Sequence, residues 1–308
     1  MNAHMTTPPA SVEMVPLGDG DGMCITPGNG GTDLTQLESA GLDTLLADAG
    51  HIVMRGFAPG SEGFNRLVEH YSSRVTLDPA RVFQGNTAQK VDSGYDAIGL
   101  HMENGTTPFA PELLWFYCEK AAVSGSETTV CDGYRVWEAL SERSRELFSA
   151  QPITYSRTVP AHLWQKMAAV MANDGRQEED VTKNDLYELA GDSENVVFVE
   201  FPDGSLYYEY SAHAAHPTTW SDRTAWANSL LGPSVNYETP KMCFADGSAI
   251  PADVEDEYTR VTAELTEALP WQDGDMVLID NSRVMHGRRA ITDPNRTIYN
   301  AQSYARHR

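Results

Sequence analysis

Residues 98–103 read Ile-Gly-Leu-His-Met-Glu, a stretch in which the side chains alternate in character. Such alternation predicts a β-strand, in which residues two positions apart point to the same face. His101 and Glu103 are then expected to project together, with Cα atoms about 6–7 Å apart, while the residues between them pack behind. An imidazole and a carboxylate placed in this way can bind one divalent cation.

A second histidine is the candidate third ligand for this ion. His286 follows the apolar run Met276–Asp280, which predicts a buried strand, and a turn that begins at Asp280-Asn281. Two histidines and one carboxylate on one face of an octahedron leave three positions open, as in non-haem Fe(II) oxygenases. With nine histidines and 44 acidic residues, a His-x-acid triplet arises about once by chance, so the surrounding sequence has to support it.

The remainder of the chain predicts many strands with helices packed outside them. Apolar or alternating runs predict strands at 113–118, 153–159, 196–201, 206–210 and 297–304. Helical spacing predicts helices at 32–50, 62–73 and 134–148, and one that begins at Pro251. The helices and strands do not alternate as βαβ units, which favours a mostly β (α+β) domain with an antiparallel core.

The chain is expected to consist of one domain and a flexible arm. Residues 1–31 are rich in Pro, Gly and Thr and lack a period, so we predict a flexible N-terminal arm before a single domain at 32–308. Within that domain, 161–195 contains the acidic run 177–180 and is predicted to be an insertion that could act as a lid.

Composition limits the classes of partner. The 308 residues include 22 basic and 44 acidic side chains, a formal net charge of −22. An anionic surface disfavours nucleic acid and anionic membranes. The four cysteines have no close pairing, and no apolar run has the length of a bilayer span. We therefore expect a soluble cytoplasmic protein, most simply an enzyme, and the sequence leaves open whether it is a homo-oligomer.

Four segments, in this order, resemble one known family. They are GHIVMRGF at 50–57, LHMENG at 100–105, FYCEKAAVSGSETTVCDGYRVWEAL at 116–140 and WQDGDMVLIDNSRVMHGRRAITDPNR at 271–296. These segments are similar to those of the Fe(II)/2-oxoglutarate-dependent dioxygenases of the taurine-dioxygenase and clavaminate-synthase group. The likeness covers most of residues 50–305 and is poor over 160–240.

The resemblance implies a double-stranded β-helix (jelly-roll) core and a set of site residues. His101, Glu103 and His286 match the iron ligands of the group. Thr128 and Arg296 match the residues that bind the C5 carboxylate of 2-oxoglutarate, and O2 would be the second cosubstrate. A planar guanidinium suits this role because it binds a carboxylate bidentately and keeps its charge. Arg288 and Arg289 compete with Arg296 for the same role.

The resemblance also directs attention to substrate residues. Where related enzymes often carry a second arginine for a sulfonate or carboxylate, this chain has Asn300. An amide offers hydrogen bonds without charge, so a sulfonate substrate is not expected. Asn104, Arg288 and Asn300 are our candidates for contact with the substrate, with Arg288 the candidate partner of an anionic one.

By resemblance, the expected activity is hydroxylation of an unactivated C–H bond in a small amino-acid-like metabolite of natural-product biosynthesis, with release of succinate and CO2. Halogenases of the group lack the carboxylate, so Glu103 favours hydroxylation, whereas desaturation, epoxidation and ring closure stay open. Two other readings are a non-catalytic jelly-roll binding protein and a zinc or manganese hydrolase of similar shape.

Overall fold

The structure is a computed structural model that describes residues 12–28, 34–76, 83–84, 87–91, 94–172, 174–191, 194–233 and 238–306. Its strands are β1 Val12–Pro16, β2 Met23–Pro27, β3 His51–Met54, β4 Ser72–Thr76, β5 Phe83–Gln84, β6 Ala88–Lys90, β7 Ile98–His101, β8 Leu113–Lys120, β9 Thr128–Asp132, β10 Ile153–Val159, β11 Val196–Glu200, β12 Leu206–Ala212, β13 Ala215–Thr218, β14 Ser221–Trp226, β15 Lys241–Phe244, β16 Glu267–Ala268, β17 Met276–Asp280, β18 Val284–Arg288 and β19 Thr297–Ala305. Its helices are α1 Thr35–Glu38, α2 Leu42–Ala49, α3 Gly60–Tyr71, α4 Gly133–Ala139, α5 Glu142–Ala150, α6 Ala161–Ala172, α7 Lys183–Leu189 and α8 Ala252–Leu265.

Two of the sheets share one apolar layer. The larger sheet has the order β1-β2-β3-β17-β8-β19-β6-β5, with β4 also paired to β19, and the smaller sheet has the order β16-β9-β18-β7. The shared layer combines side chains of both sheets, namely Val53, Leu114, Phe116, Cys118, Val277, Ile279 and Ile298 from the larger and Val130 and Val284 from the smaller. This arrangement is the jelly-roll core, and the expected fold class is confirmed.

Strand β17 shows why an uninterrupted apolar run lies at the centre of the larger sheet. It pairs antiparallel with β3 on one side and β8 on the other. Met276 and Leu278 pack in the cluster that includes helices α2 and α3, whereas Val277 and Ile279 face the smaller sheet. Because alternate side chains of a strand point to opposite faces, every position of this strand has to be apolar or paired.

A second four-stranded sheet, β11-β12-β10-β15, lies beside the region predicted to be an insertion. Helices α6 and α7 lie within that region, and their side chains Trp164, Met171 and Leu186 pack with Phe198 and Tyr208 of the sheet. The run 178–180 is an exposed 3-10 turn. Helices α6 and α7 thus pack on this sheet, and closure of 161–195 as a lid stays a prediction.

The prediction of a flexible arm was wrong for residues 12–28. Strands β1 and β2 form an antiparallel hairpin, and β2 pairs in parallel with β3, so both extend the larger sheet. Ile25 is fully buried in the core. The main-chain groups at the edge of β3 need hydrogen-bond partners, and a short apolar strand supplies them even though Pro and Gly flank it. Residues 1–11 and 29–31 lie outside the described residues.

Two predicted helices are divided in the structure. The helix predicted at 32–50 is α1 and α2, separated at Gly41, whose φ of 66° lies in the left-handed region. The helix predicted at 134–148 is α4 and α5, because Ser141 starts the second helix by accepting a hydrogen bond from the Ser144 amide. Within the described part of the chain, no helix combines the length and apolarity needed to span a membrane.

Candidate active site

Pairing of β7 with β18 brings two histidines together from distant parts of the sequence. His101 and His286 are direct cross-strand partners, and their ring centroids are 4.2 Å apart. His286 is buried, and its ring lies 5.6 Å from that of Phe116 on the larger sheet. The smaller sheet therefore presents both imidazoles to the layer between the sheets.

Glu103 reaches the histidines by a route that differs from the one expected. Strand β7 ends at His101, so Glu103 lies in the following turn rather than two positions along the same strand. Asn281 holds that turn with three hydrogen bonds. Its Oδ1 accepts a hydrogen bond from the Glu103 amide at 2.8 Å, and its Nδ2 donates to the carbonyls of Glu103 and Pro111 at 3.1 and 2.8 Å. Because Asn281 is fully buried, these three bonds fix the main chain that carries the carboxylate.

The three side chains form a set of donors suited to one metal ion. One ligand atom from each of His101, Glu103 and His286 lies within 4.8 Å of the others, and His286 Nε2 is 3.5 Å from Glu103 Oε2. The Gly99 carbonyl accepts a hydrogen bond from His101 Nδ1 at 2.9 Å, which leaves Nε2 for a metal. Two imidazoles and one carboxylate fit a facial Fe(II) site with open positions.

Thr128, Arg288 and Arg296 form a second group beside these donors. Arg288 lies two residues beyond His286 on β18 and opposite Thr128 on β9. The Thr128 hydroxyl oxygen accepts a hydrogen bond from Trp271 Nε1 at 3.0 Å, so its own proton can be donated to a ligand. No sequence pattern pointed to this role of Trp271.

Two buried guanidinium groups make this group electropositive. Burial, with a further contribution from the charge of Arg288, lowers the pKa of Arg296 to about 10. Among the described residues, the hydrogen bond found for the Arg296 side chain goes to the Ser126 carbonyl at 2.6 Å rather than to a carboxylate. A bound anion would stabilise both cations, so binding of a carboxylate by this group, next to the metal donors, stays our prediction.

The two competing arginines differ in environment. Arg288 is buried and donates from Nη2 to the carbonyls of Gly94 and Asp96, at 3.0 and 2.7 Å. Arg289 is exposed. The structure therefore favours Arg296, aided by Arg288, as the carboxylate-binding residue, and substrate contact by Arg288 stays a prediction.

The other two candidate substrate residues lie close to a glutamine that the sequence did not single out. Asn104 follows Glu103 with a φ of 53°, and its Nδ2 donates to Gln302 Oε1 at 3.1 Å. Asn300 is two residues before Gln302 on β19, and both side chains are buried. Only an unsatisfied polar atom in the folded chain distinguishes Gln302, and such a signal is invisible in the sequence.

Comparison with known families identifies the family to which this chain belongs. The model of the "Taurine catabolism dioxygenase TauD, TfdA family" matches residues 25–302, which is most of the chain. The chain belongs to this family. It is therefore an Fe(II)- and 2-oxoglutarate-dependent dioxygenase, and the donor set and the buried arginine described above fit these two groups.

Individual TauD/TfdA relatives are distant in sequence. A clavaminate synthase-like protein of Arabidopsis thaliana is 24% identical over 288 residues, covering 83% of this chain and 82% of the relative. The dapdiamide synthesis protein DdaC of Enterobacter agglomerans is 26% identical over 276 residues, covering 80% of each. The structure of the PvcB protein of Pseudomonas aeruginosa superposes with a TM-score of 0.62 at 16% identity, covering 99% of this chain and 95% of PvcB, a likeness that shows the fold.

Proposed function

We propose that this dioxygenase hydroxylates an unactivated C–H bond of a small amino-acid-like metabolite in natural-product biosynthesis. In this proposal His101, Glu103 and His286 hold the iron, and Thr128 and Arg296 hold the distal carboxylate of 2-oxoglutarate. The observation that carries it is the convergence of three ligand atoms within 4.8 Å of one another, beside two buried guanidinium groups.

The protein's own residues position the reactants. When bound, iron and 2-oxoglutarate supply the oxidation, in which O2 is consumed, 2-oxoglutarate yields succinate and CO2, and a C–H bond of the substrate is oxidised. Arg296 and the Thr128 hydroxyl would hold the distal carboxylate of the cosubstrate on the side of the site where Arg288 lies opposite Thr128. Glu103, whose main chain Asn281 holds, would supply the carboxylate ligand that halogenases of the group lack.

Two relatives support a role in natural-product synthesis. DdaC is a dapdiamide synthesis protein, and PvcB is described as an Fe, alpha-ketoglutarate-dependent oxygenase from an isonitrile synthetic pathway. Asn300 argues against a sulfonate, because it offers no positive charge where one would be needed. Desaturation, epoxidation and ring closure use the same groups and differ in substrate placement, so the product has to be identified directly.

The first experiment tests the metal and cosubstrate residues. Anaerobic addition of Fe(II) and 2-oxoglutarate is expected to give a weak visible charge-transfer band, which His286→Ala abolishes. The exposed His162→Ala variant serves as the matched control and should retain the band. Absence of the band from the wild-type protein would refute the assignment.

The second experiment identifies the reaction. Amino acids and related metabolites are incubated with the Fe(II)-loaded protein, 2-oxoglutarate and O2, and products are examined by mass spectrometry together with succinate. Gain of one oxygen atom supports hydroxylation or epoxidation, and loss of two hydrogen atoms supports desaturation or ring closure. Succinate that forms equally with Glu103→Ala would contradict the proposed site.

A further inference from the structure

Strand β19 carries two buried amides that the dioxygenase mechanism does not use. Asn300 is 1% exposed and Gln302 is fully buried. Because residues two positions apart share a face of a strand, both project from the same side of β19.

The register of β19 against β8 shows which face of the larger sheet carries Asn300 and Gln302. Asn300 lies directly opposite Phe116, and Gln302 lies opposite Leu114. Directly opposed residues of antiparallel strands present their side chains on the same face. Phe116 and Leu114 belong to the layer between the sheets, and the Phe116 ring lies 5.6 Å from that of His286. The two amides therefore face the layer that contains the metal donors.

Each amide has one buried atom without a partner. Neither Asn300 Oδ1 nor Gln302 Nε2 makes a hydrogen bond to any group in the described part of the chain. Burial of an unsatisfied donor or acceptor is unfavourable, and native structures retain few of them, often at functional sites. Two such atoms on one face, beside a candidate catalytic centre, indicate a ligand that would satisfy both.

Asn104 fixes how Gln302 is turned. Its Nδ2 donates to Gln302 Oε1 at 3.1 Å, so the glutamine oxygen is occupied and the Nε2 donor is directed elsewhere. Because Asn104 follows Glu103 directly, this bond also links the glutamine to the turn that carries the metal ligand. The pair thus offers a free N–H donor at Gln302 and a free oxygen acceptor at Asn300.

We propose that Asn300 and Gln302 recognise an uncharged carboxamide group of the substrate, an inference that rests on the proposed function. Gln302 Nε2 donates to the carboxamide oxygen, and Asn300 Oδ1 accepts its N–H. A carboxamide carries both groups without charge, whereas a carboxylate or sulfonate offers no donor for Asn300. Burying such an anion beside two neutral amides and the Glu103 carboxylate is also unfavourable.

The test uses matched probes that differ only in this group. L-asparagine and L-glutamine are titrated against L-aspartate and L-glutamate into the anaerobic protein loaded with Fe(II) and 2-oxoglutarate. Binding is followed by the change in the charge-transfer band. At least one carboxamide is expected to bind about tenfold more tightly than its acid, since one good hydrogen bond is worth about that factor.

Gln302→Glu and Gln302→Met both remove the free N–H donor; the first keeps an acceptor for Asn104 but adds a negative charge, and the second adds no charge. The carboxamide preference should fall about tenfold in both variants. Because Gln302→Met carries no charge, a fall in this variant as well shows that loss of the donor, and not the added charge, is the cause. Tyr299→Phe is the matched control, since Tyr299 lies on the opposite face of β19 and stacks on Tyr117.

The outcomes separate this inference from the function it rests on. A wild-type protein that lacks the charge-transfer band refutes the proposed function. If the band is present, three results overturn the carboxamide assignment alone. The acids bind as tightly as the carboxamides or more tightly, no carboxamide probe binds, or the preference is unchanged in both Gln302 variants.

Discussion

Asn281 is the residue on which the position of Glu103 depends. Its three hydrogen bonds hold the main chain at Glu103 and Pro111, and it is fully buried. Asn281→Ala should lower the free energy of unfolding by about 3 kcal/mol, because buried main-chain groups lose their partners. It should also weaken Fe(II) binding about tenfold or more, since the carboxylate is no longer held in position.

Urea unfolding and anaerobic Fe(II) titration measure the two effects of Asn281→Ala separately. Ser248→Ala is a suitable control, because that hydroxyl bonds to Asp246 in an exposed turn. Stability lost with unchanged metal affinity would show that Asn281 is structural only.

Arg296 and Arg289 provide a matched pair for the cosubstrate. Arg296 is buried beside Arg288, and Arg289 is exposed. Arg296→Gln should raise the concentration of 2-oxoglutarate needed for half-saturation about 100-fold, because a charge-assisted bidentate contact is lost, with Fe(II) affinity unchanged. Arg289→Gln should bind 2-oxoglutarate as the wild type does. The reverse result would transfer the role to Arg289.

At the scale of elements, the approach of β7 to a neighbouring loop determines where His101 lies. A Cβ on Gly99 would be 2.2 Å from the Leu231 carbonyl oxygen, which is main chain and cannot move alone. Gly99→Ala should therefore displace β7, reduce stability by about 2 kcal/mol and weaken Fe(II) binding about tenfold.

The control for Gly99→Ala is a glycine in open space. Gly247 has a φ of 83° and nothing near its missing Cβ, so Gly247→Ala should cost about 1 kcal/mol of backbone strain and leave the metal site unchanged. Equal metal affinity in both variants would contradict the proposed link between β7 and the ligand.

Strand β3 makes stability depend on pH through His51. Burial, opposed by Asp132 and assisted by Arg283, lowers the pKa of His51 from 6.5 to about 4. Protonation therefore favours the unfolded chain, so the stability from neutral His51 is present above pH 6.5 and is lost as the pH falls toward 4. The loss between about pH 7 and pH 5 amounts to about 2 kcal/mol.

Denaturant unfolding at these two pH values tests the assignment to His51. His51→Gln should remove about 2 kcal/mol of the pH dependence, because the replacement does not titrate in this range. The exposed His162→Gln variant should leave the dependence unchanged. If His51→Gln leaves the dependence unchanged as well, the pH dependence does not come from His51.

The elements also show how far sequence patterns reach. The apolar run of β17 and the alternating run of β10 identify their strands at the observed bounds, because burial on one or both faces dictates their composition. β2 was missed because its order comes from pairing with β3, a contact remote in sequence. His101 and Glu103 were expected to share a strand face, but the strand ends at His101, and a turn held by Asn281 brings Glu103 to the histidines. Gln302 was identified only from its buried, unsatisfied Nε2 atom in the folded chain.

In the whole molecule, the two sheets contribute different residues to the site. The smaller sheet carries His101 and His286, whereas β19 of the larger sheet carries Asn300 and Gln302, with Arg296 immediately before it. In the proposed site, 2-oxoglutarate is held by Arg296 on one side and reaches the metal ligands of the smaller sheet on the other. Cosubstrate binding should therefore stabilise the packing of one sheet on the other.

Thermal unfolding tests this coupling in the whole protein. Mn(II) is used because it resists oxidation. Mn(II) and 2-oxoglutarate, each at about 100 times its dissociation constant, should each stabilise the folded chain by about 2.7 kcal/mol. For a chain of this size that is a rise in Tm of about 4 °C per ligand. With Glu103→Ala the contribution of Mn(II) should disappear and that of 2-oxoglutarate should shrink, because one of its two anchors depends on the metal. If 2-oxoglutarate stabilises this variant as strongly as the wild type, it binds away from the metal, and the arginine group serves a different anion.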